Sequence, residues 1–292
     1  MIHHTHQQGS QEWLQARKGV ITGSRFKDAR DRLADKPEKT DKKTGEVTPA
    51  QRGAPSAKQI GYAQDTARER VGWVVPPTFQ NAAMKTGQVQ EPHARMAYEA
   101  LTGNLVQEVG FITTDDGMFG LSPDGLIDHD GVLEVKTMVS SSTLFEAVAD
   151  GDISEYIDQC NGYLWLLGRQ WVDLVLWAPD LEPMGLSMTI RRITRDENAI
   201  EALEADLMAF AALAKSFEDK LRAKAENSSA LPIAVAAIEA EKAPALTTKT
   251  LPQPAISPTR VALNAQLDRL GETELLRVLN FVRSRYGELV AA

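Results

Sequence analysis

The 292-residue sequence predicts a mixed α/β (α+β) domain, a central β-sheet flanked by helices, with a small helical hairpin appended at its C-terminal end. Three observations predict it. Two strand-forming runs, residues 120–127 and 132–138, flank Asp128-His129-Asp130-Gly131, whose Asp-Gly step is a common hairpin turn signal. Residues 194–225 repeat apolar side chains at helical spacing, as a helix covering the sheet would. From Glu226 onward the composition turns to Ala, Pro, Ser and Thr, and beyond Ser257 two short amphipathic stretches follow. The chain therefore divides into a main domain (1–225), a flexible linker (226–256) and a helical hairpin (257–292).

Along the main domain, Ser10 caps a short helix over 11–17 that Gly19 ends, and Thr22 or Ser24 caps a second over 26–33. Residues 36–52 are rich in Lys, Thr and Gly and read as a solvated loop, disordered without a polyanionic partner. Helices follow over 56–71 and 82–101, with Pro76-Pro77 preventing continuity between them. Glu91 precedes Pro92, which suggests a helix start or kink there. A strand over 105–113 and the acidic turn Asp115-Asp116 lead into the hairpin. Ser140, Ser141 or Ser142 caps a helix over 143–149, and a second over 154–167 carries Gln159 on its polar side. Strands over 171–177 and 186–193 complete a mixed sheet. Thr194-x-x-Glu197 reads as a capping box opening the long helix, whose stripe is Ile200, Leu203, Leu207, Phe210, Leu213, Phe217 and Leu221. In the hairpin, Leu263, Leu267 and Leu270 form one face, Gly271 ends that helix, and Thr273 caps a second bearing Leu276, Leu279, Phe281, Val282, Tyr286 and Leu289. A unit of that size cannot bury its own apolar face, so it reads as an interaction or oligomerisation module.

Composition narrows the chemistry. The single cysteine, Cys160, excludes an internal disulfide, and no apolar run approaches the roughly 20 residues of a membrane span. With no signal-peptide pattern at the start, a cytoplasmic location is expected. His3, His4 and His6 read as incidental residues of a floppy terminus. The net charge of −8 is uneven: residues 1–60 hold 12 Lys and Arg against 7 Asp and Glu, leaving 20 against 33 in the remainder. A basic N-terminal face on an acidic body can confine DNA to one channel.

The hairpin carries the chemistry. On a strand, Glu134 and Lys136 share one face while Leu133 and Val135 point to the other, and the turn brings Asp124 back towards Glu134. Burying two carboxylates together is costly unless a divalent cation or a raised pKa neutralises them. All-oxygen ligation points to Mg²⁺ or Mn²⁺, one or two ions, and a hard cation beside a lysine suits hydrolysis of a phosphodiester. The same pattern is also that of a solvated hairpin edge.

Ser122-Pro123-Asp124-Gly125, followed by Glu134-Val135-Lys136, resembles the PD-(D/E)xK nuclease signature in the form found in lambda exonuclease-like, YqaJ-type viral recombinases. Residues 13–24 (WLQARKGVITGS) resemble that family's opening motif. Gly87, Glu91, Ala94 and Thr102-Gly103 resemble its helix before the core strands, and Gln159 with Trp165 the helix after the hairpin. The similarity spans roughly residues 10 to 220. It implies a restriction-endonuclease-like core and a metal-dependent 5′–3′ exonuclease that acts on double-stranded DNA ends with a single-strand-annealing recombinase as partner. It also implies a homo-oligomer, a ring-shaped trimer in the lambda protein. By resemblance, Asp124, Glu134, the Val135 carbonyl and either Asp115 or Asp116, with Asp115 preferred, hold the metal. Lys136 positions or deprotonates the water, Gln159 orients the lysine or the scissile phosphate, and Glu91 is a supporting or water-mediated metal group. Arg17, Ser24 and Ser122 hold the 5′ phosphate. An endonuclease or repair nuclease with the same site, and a DNA-binding scaffold acting through its hairpin, are the other readings.

Overall fold

The computed structural model describes residues 1–6, 10–72 and 82–228. All belong to the first of two units into which the chain divides, Met1–Ala230. The expected linker, beyond Ser228, and the expected hairpin over 257–292 lie outside the described residues.

The unit begins with β1 (Ile2–His4), α1 (Gln11–Arg17), β2 (Ile21–Thr22) and α2 (Phe26–Arg30), then a two-stranded ribbon, β3 (Lys39–Thr40) with β4 (Val47–Thr48). Helices α3 (Ala57–Arg70) and α4 (Ala82–Thr102) precede strands β5 (Val106–Gln107), β6 (Phe111–Thr113), β7 (Phe119–Leu121), β8 (Gly125–Ile127) and β9 (Gly131–Thr137). Next come α5 (Ser141–Leu144), α6 (Ser154–Leu167), β10 (Trp171–Trp177), β11 (Met188–Thr194) and α7 (Glu197–Ser228).

These strands form two mixed sheets. The larger has the order β11-β10-β9-β8-β5, with β9 and β10 parallel and the other pairs antiparallel. The smaller has the order β1-β6-β7-β2, with β2 and β7 parallel. Strand alternation in β9 decides its two faces. Leu133 and Val135 pack with Ala94 and Tyr98 of α4, while Val132 joins Tyr163 and Leu164 of α6 and Leu203, Leu207 and Phe210 of α7. The stripe on α7 is buried as far as Phe210, whereas Leu221 is exposed.

Several sequence expectations change. The expected strand over 105–113 is two strands in different sheets, β5 and β6. The run over 120–127 breaks at Ser122-Pro123-Asp124, because proline has no N–H for a ladder; β7 and β8 then join different sheets. In the β8–β9 hairpin Ile127 pairs with Gly131, and Asp128 takes the left-handed conformation at φ 45°. Gly131 serves packing instead: a Cβ there would lie 2.3 Å from the Trp171 ring. Thr194 ends β11, so the cap of α7 is Asp196, whose carboxylate accepts from Asn198 N at 2.9 Å. Pro92 lies inside α4 without ending it. The basic stretch is a ribbon in which Asp41 accepts from Lys43 N at 2.7 Å and closes the turn. His3 and His4 are part of a paired strand, β1 on β6, and not of a floppy terminus, while His6 lies two residues beyond it. No helix among the described residues is long and apolar enough to cross a membrane.

Close approach of α6 to α2 depends on Gly162, where a Cβ would lie 2.5 Å from the fully buried Phe26 ring. Gly162→Val should destabilise the unit by about 2–3 kcal/mol, the usual scale of overpacking a filled core, as read by denaturant titration.

Candidate active site

Glu134 sits on the α6-facing side of β9 and is only 3% exposed. Its Oε1 meets Lys136 Nζ at 2.6 Å and accepts from Gln159 Nε2 at 2.8 Å; its Oε2 accepts from the Tyr163 hydroxyl at 2.5 Å. Lys136 also donates to Gln159 Oε1 at 3.1 Å, so the amide spans the ion pair. Helical spacing explains the support from α6, since Gln159 and Tyr163 are four residues apart and project from one face. Gln159 Nε2 lies 2.7 Å from the Tyr163 oxygen, which is itself 3.2 Å from the Ser122 carbonyl.

Asp124 opens β8, and its Oδ2 accepts from Val135 N at 2.7 Å. Burial first, then the Glu134 and Glu91 carboxylates, pushes the Asp124 carboxyl well above its usual range. Burial likewise raises Glu91, with Glu134 and Glu108 adding to it against Arg95. For Lys136, burial lowers the pKa, but the Glu134 and Asp124 carboxylates more than offset it and the net direction is up. Held in this way, Lys136 presents a positive charge at the cluster, paired with Glu134. Burial raises the Tyr163 phenol and the Cys160 thiol, which keeps both protonated.

The second half of the site lies across Pro123. Arg17, at the end of α1, points NH1 at Ser122 Oγ, 3.3 Å away. Its guanidinium is held 4.3 Å from the Trp13 ring centre and 5.0 Å from that of Phe111, and burial lowers its pKa. Ser24 is exposed on the 3-10 turn after β2. β2 and β7 pair in parallel as far as Thr22 with Gly120, so Ser24 and Ser122 each follow the end of a paired strand.

A cavity of about 560 Å³ opens at Ser122-Pro123-Asp124, between the two halves. Glu91 and Arg95 of α4, Ser122 and Asp124 contribute to its lining, as do His3, His4, His6 and Trp13. Arg95 pairs with Glu108 at 2.7 Å and more loosely with Glu91 at 3.8 Å.

Asp115 and Asp116 are not brought to this cluster, and the expectation of a metal ligand there is corrected. They occupy the turn before β7, whereas Asp124 lies beyond its other end. Asp116 accepts from Thr114 Oγ at 2.6 Å and Met118 N at 3.0 Å, which closes the turn. Asp115 is exposed and meets the Met1 amino group. The third carboxylate at Asp124 and Glu134 is Glu91. Among the described residues no three His, Cys, Asp or Glu side chains already converge as a metal cluster, and Lys136 and Gln159 contact Glu134 Oε1. The donor chemistry still suits a hard cation: three crowded carboxylates, two of them with raised pKa, favour a divalent countercharge. Tyr163 and Arg95 were not singled out from sequence. Their signal was helical spacing, four residues after Gln159 and four after Glu91.

A model of the YqaJ-like viral recombinase domain matches residues 12–170. Crystal structures of an alkaline exonuclease from Laribacter hongkongensis, alone and in complex with dAMP, are similar at 31% identity with a TM-score of 0.61. In both cases the similarity covers 75% of this chain and 99% of that one. A phage related exonuclease from Haemophilus somnus is similar at 15% identity and a TM-score of 0.49, over 70% of this chain and 96% of that one. No curated protein matches.

Tyr163→Phe removes the hydroxyl that meets Glu134 Oε2 and leaves a buried carboxylate short of a donor. A stability loss of about 1.5–3 kcal/mol is expected from denaturant titration, the scale of a hydrogen bond to a charged group.

Proposed function

Given that the chain belongs to the YqaJ-like viral recombinase family, we propose that it is a metal-dependent 5′–3′ exonuclease that degrades one strand from double-stranded DNA ends and leaves 3′ single strands for annealing. One observation carries the reading: an anion pocket, Arg17 with Ser122, and an acid–lysine cluster, Asp124 with Glu134 and Lys136, are joined by Ser122-Pro123-Asp124. Two residues of extended chain reach roughly 7 Å, a spacing suited to cutting one nucleotide from a bound end. The similar Laribacter protein is an alkaline exonuclease that has been crystallised with dAMP, which supports a nucleic-acid substrate. The restriction-endonuclease-like core agrees with it.

Arg17 takes the terminal phosphate through its planar fork, and Ser122 and Ser24 add hydroxyls. Asp124, Glu134, the Val135 carbonyl and, directly or through water, Glu91 are the groups to hold Mg²⁺ or Mn²⁺. A bound ion of this kind supplies a Lewis acid and an acidified water. Lys136 places its positive charge against the phosphoryl oxygens as negative charge develops there. Gln159 keeps the ammonium beside Glu134, and Tyr163 fixes the carboxylate. Of the basic residues in the first 60, Arg25, Lys27, Arg30, Arg52 and Lys58 are ion-paired within the fold, so the exposed Lys36, Lys39, Lys42 and Lys43 around the β3–β4 ribbon are the ones to meet the duplex. A single-strand-annealing protein as partner, a homo-oligomer with the trimer as its form, and residues 257–292 as the interaction module complete the reading.

Linear duplex with 5′ phosphates should be degraded faster than duplex with 5′ hydroxyls in Mg²⁺, and Arg17→Ala should erase the difference, as followed by release of acid-soluble nucleotide. Closed circular DNA should resist. Equal rates on both kinds of end, or cutting of circles, would assign an endonuclease instead. Glu134→Gln should lower turnover by about 10²-fold or more, the scale of losing a transition-state charge contact. Asp124→Asn should raise metal-free stability by on the order of 1 kcal/mol, since it relieves like-charge crowding, and should abolish the rise in Tm that Mg²⁺ gives the wild type.

A further inference from the structure

The N-terminal strand borders the cavity that Ser122 and Asp124 also line, and nothing in the proposed chemistry uses it. β1 is fixed on β6 by the register Ile2 with Thr113, His3 with Ile112 and His4 with Phe111. His4 Nε2 lies 3.2 Å from Thr113 Oγ1, and its ring is 5.8 Å from that of Phe111. Gly110 lets the strand come this close, because a Cβ there would lie 2.0 Å from the His4 carbonyl oxygen. His4 is thus an anchor. His3 and His6, by contrast, are exposed at the cavity shared with Asp124.

The chemistry of the lining shows what such residues are suited to. A nucleotide entering a cavity of about 560 Å³, within the usual range for small-ligand sites, meets the carboxylates of Glu91, Glu108 and Asp124. The charge of Arg95 is matched by Glu108, and one face of Trp13 carries Arg17. Among the lining side chains, the imidazoles of His3 and His6 are exposed, flat, aromatic and nitrogen-bearing. They can donate to phosphate oxygens or stack on a base.

On the reading of the site as a nuclease, we propose that β1 is a wall of the substrate channel and that His3 and His6 contact the nucleotide next to the scissile bond. The test is a His3→Ala/His6→Ala double variant of the full chain. Its readouts are steady-state digestion of linear duplex, calorimetric titration with dAMP in Mg²⁺, and thermal unfolding. KM should rise and dAMP affinity fall, each by about ten-fold, the scale of losing one stacked or hydrogen-bonded contact, with Tm unchanged. A His3→Gln/His6→Gln variant, which keeps a donor at both positions, should recover part of the loss. Unchanged KM and dAMP affinity overturn the proposal, as does a loss that tracks a lowered Tm. If the wild type hydrolyses nothing, the nuclease reading fails, while the dAMP titration still decides whether β1 contacts a nucleotide.

Discussion

A carboxylate almost wholly removed from water, Glu134, is the constraint on which the surrounding structure depends. Such a group costs several kcal/mol unless its oxygens are matched. The match comes from three side chains, Lys136 on the same strand and Gln159 and Tyr163 on α6. Because two of the three are on a helix, α6 has to lie close to β9. Glycines allow the neighbouring elements to close around it: Gly162 lets α6 meet Phe26 of α2, and Gly23, where a Cβ would lie 2.6 Å from Leu121, lets the turn after β2 meet β7. The packing of α2, α6 and the two sheets is therefore tied to the satisfaction of one charge.

A second constraint is the change of sheet at Ser122-Pro123-Asp124. A continuous strand would have put Ser122 and Asp124 on the same face of one sheet, with their neighbours fixed by its ladder. Proline interrupts the ladder, and the residues on either side take partners from different layers. Ser122 meets Arg17 from α1, while Asp124 meets Val135 of β9. The break puts Arg17 and Ser122, the proposed anion pocket, beside the cluster of Asp124 and Glu134 without mixing the two; the carboxylate whose charge reaches Arg17 is Glu69.

The residues that sequence reasoning read well are those whose period is enforced over a whole element by burial. The span of α6 over 154–167 and that of β10 over 171–177 were both expected, and the alternation in β9 placed Glu134 opposite Leu133. Alternation says nothing about which sheet a strand joins, so the splits at 105–113 and 120–127 were invisible. Local cap chemistry also offered rivals: Thr194 and Asp196 both suit a helix start, and the extension of β11 through Thr194 decided for Asp196. Within the site, Asp124, Glu134, Lys136 and Gln159 were legible through a linear motif, as were Arg17 and Ser122. Asp115 was misplaced because spacing along the chain cannot show that a turn lies at the far end of β7. Glu91 was named for a lesser role than its position beside Asp124 suggests. Tyr163 and the histidines of β1 carry no motif, and only three-dimensional packing brings them in.

The environment of Arg17 bears on how an acidic protein could carry the proposed anion site. Burial opposes the charged guanidinium, yet arginine is hydrated weakly enough to be held against aromatic faces, here Trp13 and Phe111. Those rings keep water from much of the guanidinium and leave its fork directed at the Ser122 hydroxyl. In such a setting the attraction to an arriving anion is screened far less than at an exposed arginine, because Coulomb energy rises as the local dielectric falls. A terminal phosphate would add the charge-assisted hydrogen bonds that the neutral Ser122 hydroxyl cannot supply. Much of the ordering of this pocket is therefore built into the fold, and the net negative charge of the chain is no obstacle to the phosphate-binding role proposed for it.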